Sequence, residues 1–438
     1  MTTKASPTHL APPRLDALLD APIDPSAKGL PVNAGPVTLA TIGARDWHVF
    51  GEELPLPLAV LKADVIASNS AFMSRFAAMN GLLIAPHGKT TMAPQLYDRQ
   101  IRDGAWAITV ATAQQLGVCL RFGVGRIILA NQPVGQAVAT LFEALSSAAR
   151  PEIHCLADSR DGVALLAEGA RRRPPPADNP LRVLVELGVN EGRTGARTLD
   201  DALEVARAVA GTPGLMLAGF ECFEGILPDT AAVDAFLDMV VEAARAADGE
   251  GLLGADAPVV LSAGGSAFFD RVGERFAAAA FEREVLKVLR SGCYLTHDSI
   301  GYARAFERIM RETTLATPPG GLEPALEVWA HVQSRPEPGV ALLTLGKRDI
   351  SHDAGLPVPL ARVPRGEAGP PRPIGEGYRV TALNDQHCYL ALPPDSALAV
   401  GDRVGFGIGH PCTTFDKWAL LMVVDADYRV IGGVRTFF

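Results

Sequence analysis

From about residue 82 to residue 297, short apolar runs alternate with longer amphipathic stretches of a different period. The runs lie at 82–85, 106–111, 126–132, 152–157, 182–189, 215–223, 259–263 and 289–295. Between them, the segments 113–122, 135–149, 162–173, 199–210, 229–247 and 267–288 place apolar residues three and four apart, the spacing of helices that bury one face. Strands separated by helices return to one sheet in parallel, because a parallel return needs a crossover. Eight in succession predict closure into a (β/α)8 barrel with its site at the carboxyl ends of the strands. Segment 64–79 is expected to form an extra helix ahead of the first barrel strand.

From about Leu322 the pattern changes. Alternating, β-branched runs at 326–333, 340–345, 378–382, 387–391, 403–408 and 420–424 are split by Pro and Gly turn residues, and no helix of comparable length intervenes. This predicts a mostly antiparallel β domain. The expected organisation is an extension over 1–54 that partly joins the β domain, a barrel over 55–312 and the β domain over 313–438.

Of the 438 residues 48% are hydrophobic, enough to fill the cores of two domains. The net charge of −9 comes with scattered basic residues, which argues against a nucleic-acid surface and leaves small molecules as the default partner. No apolar stretch reaches membrane-spanning length, and residues 1–13 lack an apolar signal core, so a cytoplasmic protein is expected. Six cysteines without a CxxC pair indicate neither a disulfide framework nor a four-thiolate zinc module. Cys119 and Cys155, inside apolar runs, are expected to be buried hydrophobes.

The strand ends carry the candidate chemistry. Ala85-Pro86-His87-Gly88-Lys89-Thr90 closes the first run and presents one lysine at the end of a buried strand. Burial favours the neutral amine, which can condense with an aldehyde or abstract a proton, although a lysine in this place can also be an ordinary surface residue. Ser262-Ala263-Gly264-Gly265-Ser266 follows the seventh strand and leads into a helical pattern. It reads either as a phosphate cradle or as a tight βα loop. Arg290-Ser291-Gly292-Cys293-Tyr294 in the eighth run would add N–H groups and a phenol to the same anion, unless Tyr294 is a core aromatic. Flanking glycines bring Arg193 toward the barrel mouth, where a solvated loop arginine is the alternative. Of Glu221 and Glu224, one is expected to bond a partner in the site and the other to be solvated.

In the β domain, Gly409-His410-Pro411-Cys412 puts an imidazole and a thiol on one side of an extended segment. Such a pair can hold zinc with the remaining positions open, as catalytic zinc requires, but the same spacing also occurs without metal. His387 and the pair His352-Asp353 are further candidate ligands or substrate contacts.

Taken in order, the lysine motif, Glu186 to Gly195, the Ser262 to Ser266 loop, Ser291 to Tyr294, Asn384 to His387 and His410-Pro411-Cys412 resemble the D-serine dehydratase and D-threonine aldolase group. These are alanine-racemase-like, fold-type III enzymes that use pyridoxal phosphate. The resemblance covers the chain from about Pro55 onward. It implies that Lys89 carries the cofactor covalently, that Arg193, Ser262, Gly264, Gly265, Ser266, Gly292, Cys293 and Tyr294 contact it, and that His410 and Cys412 bind zinc, with manganese or cobalt as other occupants. His87 would act beside Lys89, His387 would meet a β-hydroxy amino acid substrate, and the protein would be a homodimer in which each β domain covers the other barrel. Relatives with aldolase activity often carry His after the Lys-Thr pair and an acidic second metal ligand. Thr91 and Cys412 stand there in this chain and favour the dehydratase branch. Phe223 replaces a tyrosine that several relatives place near the cofactor.

Overall fold

The first strand, β1 (Leu58–Lys62), stays out of the barrel. In this computed structural model, which describes residues 9–254 and 257–438, β1 pairs antiparallel with one C-terminal strand and in parallel with another. The barrel strands are β2 (Leu83–Ile84), β3 (Ile108–Val110), β4 (Arg126–Leu129), β5 (Glu152–Ala157), β6 (Leu181–Leu187), β7 (Leu215–Cys222), β8 (Val259–Ala263) and β9 (Val285–Leu289). They hydrogen-bond in the order β2-β9-β8-β7-β6-β5-β4-β3, all in parallel. A parallel bridge between His87 and Thr109, with Trp106 N–H donating to Ile84 O at 2.7 Å, closes the ring between β2 and β3.

Several helices between the strands begin where an N-cap side chain satisfies a free N–H. Thr112 accepts from Gln115, Ser159 from Gly162, Thr198 from Asp201 and Asp229 from Ala232. The expected eighth strand at 289–295 is displaced. Val285–Leu289 is the strand, residues 290–295 form its exit loop and a short 3-10 turn, and the helix expected over 267–288 ends at Ala277.

The remaining strands are β10 (Leu326–Glu337), β11 (Val340–Leu343), β12 (Val358–Val363), β13 (Arg372–Pro373), β14 (Arg379–Leu383), β15 (Cys388–Ala391), β16 (Arg403–Gly407), β17 (Leu420–Val424) and β18 (Val430–Arg435). One path runs β13-β12-β16-β10-β1-β17-β18, with β11, β15 and β14 branching from the far end of the long β10. Apart from the parallel β1–β17 pair, its pairings are antiparallel. The barrel therefore begins after Lys62, beyond the boundary expected near residue 55. Residues 15–60 pack against the β domain through Leu30, Ile42, Trp47 and Phe50. Lys28 pins this segment down: its amine lies 2.6 Å from the buried Asp349 carboxylate and 3.8 Å above the Trp418 ring. No helix among the described residues is long and apolar enough to cross a membrane.

His154 on β5 is buried inside the barrel, and desolvation pushes its pKa from 6.5 down to about 4. The unfolded chain takes up this proton near 6.5. The stabilisation is therefore fully present above that pH and is lost as the pH falls toward the folded value, at a cost of roughly 3 kcal/mol. Urea midpoints should drop between about pH 7 and about pH 4.5, and His154→Phe should flatten that dependence. An equally steep profile in the variant would remove His154 as its source.

Candidate active site

The carboxyl ends of the barrel strands and the turn after β16 enclose a cavity of about 380 Å3. Lys89 enters it from a 3-10 turn, Gly88–Thr90, immediately after β2. Gly88 is needed there because a Cβ would lie 2.9 Å from both Tyr97 and Ile108, while the Tyr97 hydroxyl donates to Gly88 O at 2.9 Å and fixes the turn. The Lys89 amine makes no hydrogen bond or ion pair among the described residues. Desolvation lowers its pKa; the Cys412 charge across the cavity opposes this, and the Arg193 and Arg290 charges add to it. Beside it, His87 has no partner for Nδ1, and burial with nearby cations keeps its imidazole neutral. Gly292 permits the close approach of the β9 exit loop, since a Cβ there would sit 2.6 Å from His87 O.

The floor of this cavity is a buried charge network that includes residues not singled out as ligands from the sequence. Arg290 donates to Ser262 Oγ at 2.6 Å and Cys222 O at 3.0 Å, and lies 2.5 Å from the Glu221 carboxylate. Burial raises the Glu221 pKa to about 7 despite this cation, with Glu186 opposing ionisation further. Gln132 in turn holds Glu186. Both Glu221 and Glu224 are buried, which corrects the expectation that one is solvated. A charged residue inside an apolar run, as Arg290 is, was the available signal for this network.

Glu224 also alters the expected phosphate cradle. Its carboxylate accepts from the Gly264 N–H at 3.1 Å and the Gly265 N–H at 2.6 Å. Those two donors are therefore committed to the protein, and Ser291 Oγ donates to Gly264 O at 2.9 Å on the other side of the loop. The N–H groups of Ser266 and Gly292 find no acceptor among the described residues and remain available to an anion. Cys293 lines the cavity, but Tyr294 does not. The Tyr294 ring is in the core with its hydroxyl 3.3 Å from Gln100, and Tyr302 lines the cavity instead. Arg193 does line it, stacked 4.3 Å over the Phe223 ring.

Across the mouth, His410 and Cys412 face Lys89 from the β domain. Asp353 holds His410 Nδ1 at 2.6 Å, which leaves Nε2 for a metal, the arrangement common to ligating histidines. Cys412 Sγ lies 3.4 Å from Thr90 Oγ1. Hydrogen bonding with Cys293 and His410 pulls the Cys412 thiol down to about 4, while the Cys412 thiolate lifts His410 to about 9. A thiolate and an imidazole suit zinc as a two-donor set. No larger group of His, Cys, Asp or Glu with metal-binding geometry occurs among the described residues. His387 lies on the exposed β14–β15 turn and does not line the cavity of its own chain.

Barrel, lysine turn and β domain together define an alanine-racemase-like fold, shared with solved alanine racemases. Within it, residues 325–424 match the family model of the putative serine dehydratase domain. The chain is related to the D-threonine aldolase of Arthrobacter sp., with 27% identity over 374 residues covering 84% of this chain and 88% of that protein. The solved D-threonine aldolase of Filomicrobium marinum superposes with a TM-score of 0.70 at 24% identity, covering 88% of this chain and 95% of that one. The D-threo-3-hydroxyaspartate dehydratase of Delftia sp. HT23 gives a TM-score of 0.64 at 22% identity, covering 88% and 98%.

Proposed function

We propose that this chain is a pyridoxal-phosphate- and zinc-dependent lyase that eliminates water from a D-β-hydroxy amino acid such as D-serine, after which the resulting enamine tautomerises to an imine that takes water back and hydrolyses to a 2-oxo acid and ammonia. The observation that carries this reading is the partnerless, desolvated Lys89 amine facing His410 and Cys412 across one cavity. The relatives named above act, by their names, on D-amino acids bearing a β-hydroxyl or on D-threonine. Solved variants of the dehydratase carry a histidine-to-alanine and a cysteine-to-alanine change two positions apart, the second in metal-free form. That spacing equals His410-x-Cys412 and favours the dehydratase reading.

The residues fit the cofactor. Lys89 would hold its aldehyde, Ser266 and Gly292 would meet its phosphate through backbone N–H groups, and Arg193 would approach its ring. Pyridoxal phosphate, when bound, supplies a ring that spreads negative charge from Cα. Lys89, its pKa lowered by burial, would take the Cα proton, and His87 stands beside it as a neutral imidazole able to accept or return a proton. His410 and Cys412 would hold zinc, which supplies a Lewis acid for the departing β-hydroxyl. A homodimer belongs to this reading, because His387 would reach substrate only in a partner's cavity.

Aldol cleavage is the second reading, favoured by the aldolase named at 27% identity. A panel of D- and L-β-hydroxy amino acids separates the two. Dehydration yields 2-oxo acid and ammonia in equal amounts, aldol cleavage yields glycine and an aldehyde, and racemisation yields only the inverted enantiomer. A 2-oxo acid from D-serine, suppressed by chelator, is the expected result. Glycine and aldehyde as the main products would replace the first reading by the second.

A further inference from the structure

The barrel is also hollow at its opposite end. A second cavity, of about 660 Å3, opens at the amino-terminal ends of the strands, where layers of side chains ordinarily fill the interior. Ile128, Leu156 and Leu184 form the plug that separates it from the Lys89 cavity. Small and apolar side chains, Ala218 among them, leave the space, and Trp106 walls it.

The charges there are not balanced within the protein, although Arg126 also donates to Trp106 O at 3.0 Å and Arg182 to Asn179 Oδ1 at 3.3 Å. Arg126 Nε lies 3.0 Å, and Arg182 Nε 3.8 Å, from the same Glu152 oxygen, so two guanidiniums share one carboxylate. Lys287 and Glu284, which also line the cavity, offset each other. Arg126 is stacked 4.7 Å over Trp106, which turns the guanidinium face toward an aromatic surface. His154 is 2% exposed, with Nε2 3.8 Å from Glu152 and no partner for Nδ1. A neutral imidazole that turns its Nε2 proton toward a carboxylate presents a lone pair at Nδ1, and a buried lone pair without a donor is costly.

We propose that this barrel floor binds a small carboxylic acid with an apolar or aromatic body and a hydroxyl or N–H donor. The carboxylate pairs with Arg126 and Arg182, the body packs on Trp106 and Ala218, and the donor reaches His154 Nδ1. The site is independent of the lyase chemistry and stands whichever reaction the upper cavity performs. Its ligand and the β-hydroxy amino acid occupy different ends of the barrel, so neither displaces the other directly.

The test uses the full chain loaded with pyridoxal phosphate and 4-hydroxybenzoate as probe, followed by Trp fluorescence and saturation-transfer NMR. Saturable binding with a Kd of about 1 mM or tighter is expected, unchanged by excess D-serine. Arg182→Gln should weaken it about tenfold, and benzoate, lacking the donor, should bind about fivefold more weakly. Ala218→Met crowds the wall on which the body packs without touching a charge and should weaken binding about tenfold, so the test stands even if the arginine variant fails to fold. Absence of saturation by about 10 mM, equal binding in the Ala218→Met variant, or displacement by D-serine would each overturn the proposal.

Discussion

Lys89→Ala yields a folded protein that loses the visible absorbance of bound pyridoxal phosphate on dialysis and loses turnover by about 10^3-fold or more, since general-base and covalent roles vanish together. The expectation rests on the state of the amine. Half-buried, with no hydrogen bond or ion pair of its own and beside Arg193 and Arg290, it is desolvated with only the Cys412 charge across the cavity to offset the cost. Removing it should therefore leave the thermal midpoint of the cofactor-free protein unchanged or raised, where loss of a structural ion pair would lower it. Borohydride reduction followed by mass mapping should place the cofactor on the peptide containing residue 89 in the parent and nowhere in the variant. A variant that keeps both colour and turnover would dismantle the proposed chemistry.

In the proposed zinc site, Cys412→Ala removes one of the two side chains, His410 and Cys412, that would donate to the metal. Zinc affinity should fall by about a hundredfold or more, read by competition with a chromogenic chelator, and turnover should fall with it unless metal is in large excess. Asp353→Asn touches no metal. It weakens the hold on His410 Nδ1, and its smaller effect, about tenfold in affinity, distinguishes orientation from ligation. Cobalt substitution adds a readout independent of activity, because the sulfur-to-cobalt absorbance must disappear in the alanine variant. Unchanged metal stoichiometry and spectrum in Cys412→Ala would move the site elsewhere.

The lysine turn was legible because a buried run ends in Pro86-His87-Gly88-Lys89, a local signal that needs no knowledge of distant pairing. The barrel was legible for the same reason, through alternation of two periods. The errors fall where local pattern and long-range partner conflict. Residues 285–289 carry Lys287 and follow Glu282, Arg283 and Glu284, so they read as the end of an amphipathic helix, and only Val288 and Leu289 are fully buried. Residues 293–295 look like strand because they are apolar, yet they are buried in a 3-10 turn. β1 has the composition of a barrel strand, and nothing within it reveals partners near residues 329 and 422. Glu224 shows the same limit at the site: only the folded loop reveals that its carboxylate takes the two glycine N–H groups expected to face a phosphate.

The placement of β1 shapes how the chain is made. As it leaves the ribosome, this strand has neither neighbour, since β10 follows about 260 residues later and β17 still later. At about 5–20 residues per second that means a wait of roughly ten to fifty seconds. The barrel, built from near-neighbour pairings, can close meanwhile and hold both ends of the β domain in reach. Chaperone dependence during translation should consequently track the exposed apolar edge of residues 58–62, and pulse-labelled nascent chains stalled before β10 should be protected from protease across the barrel but cleaved upstream of it.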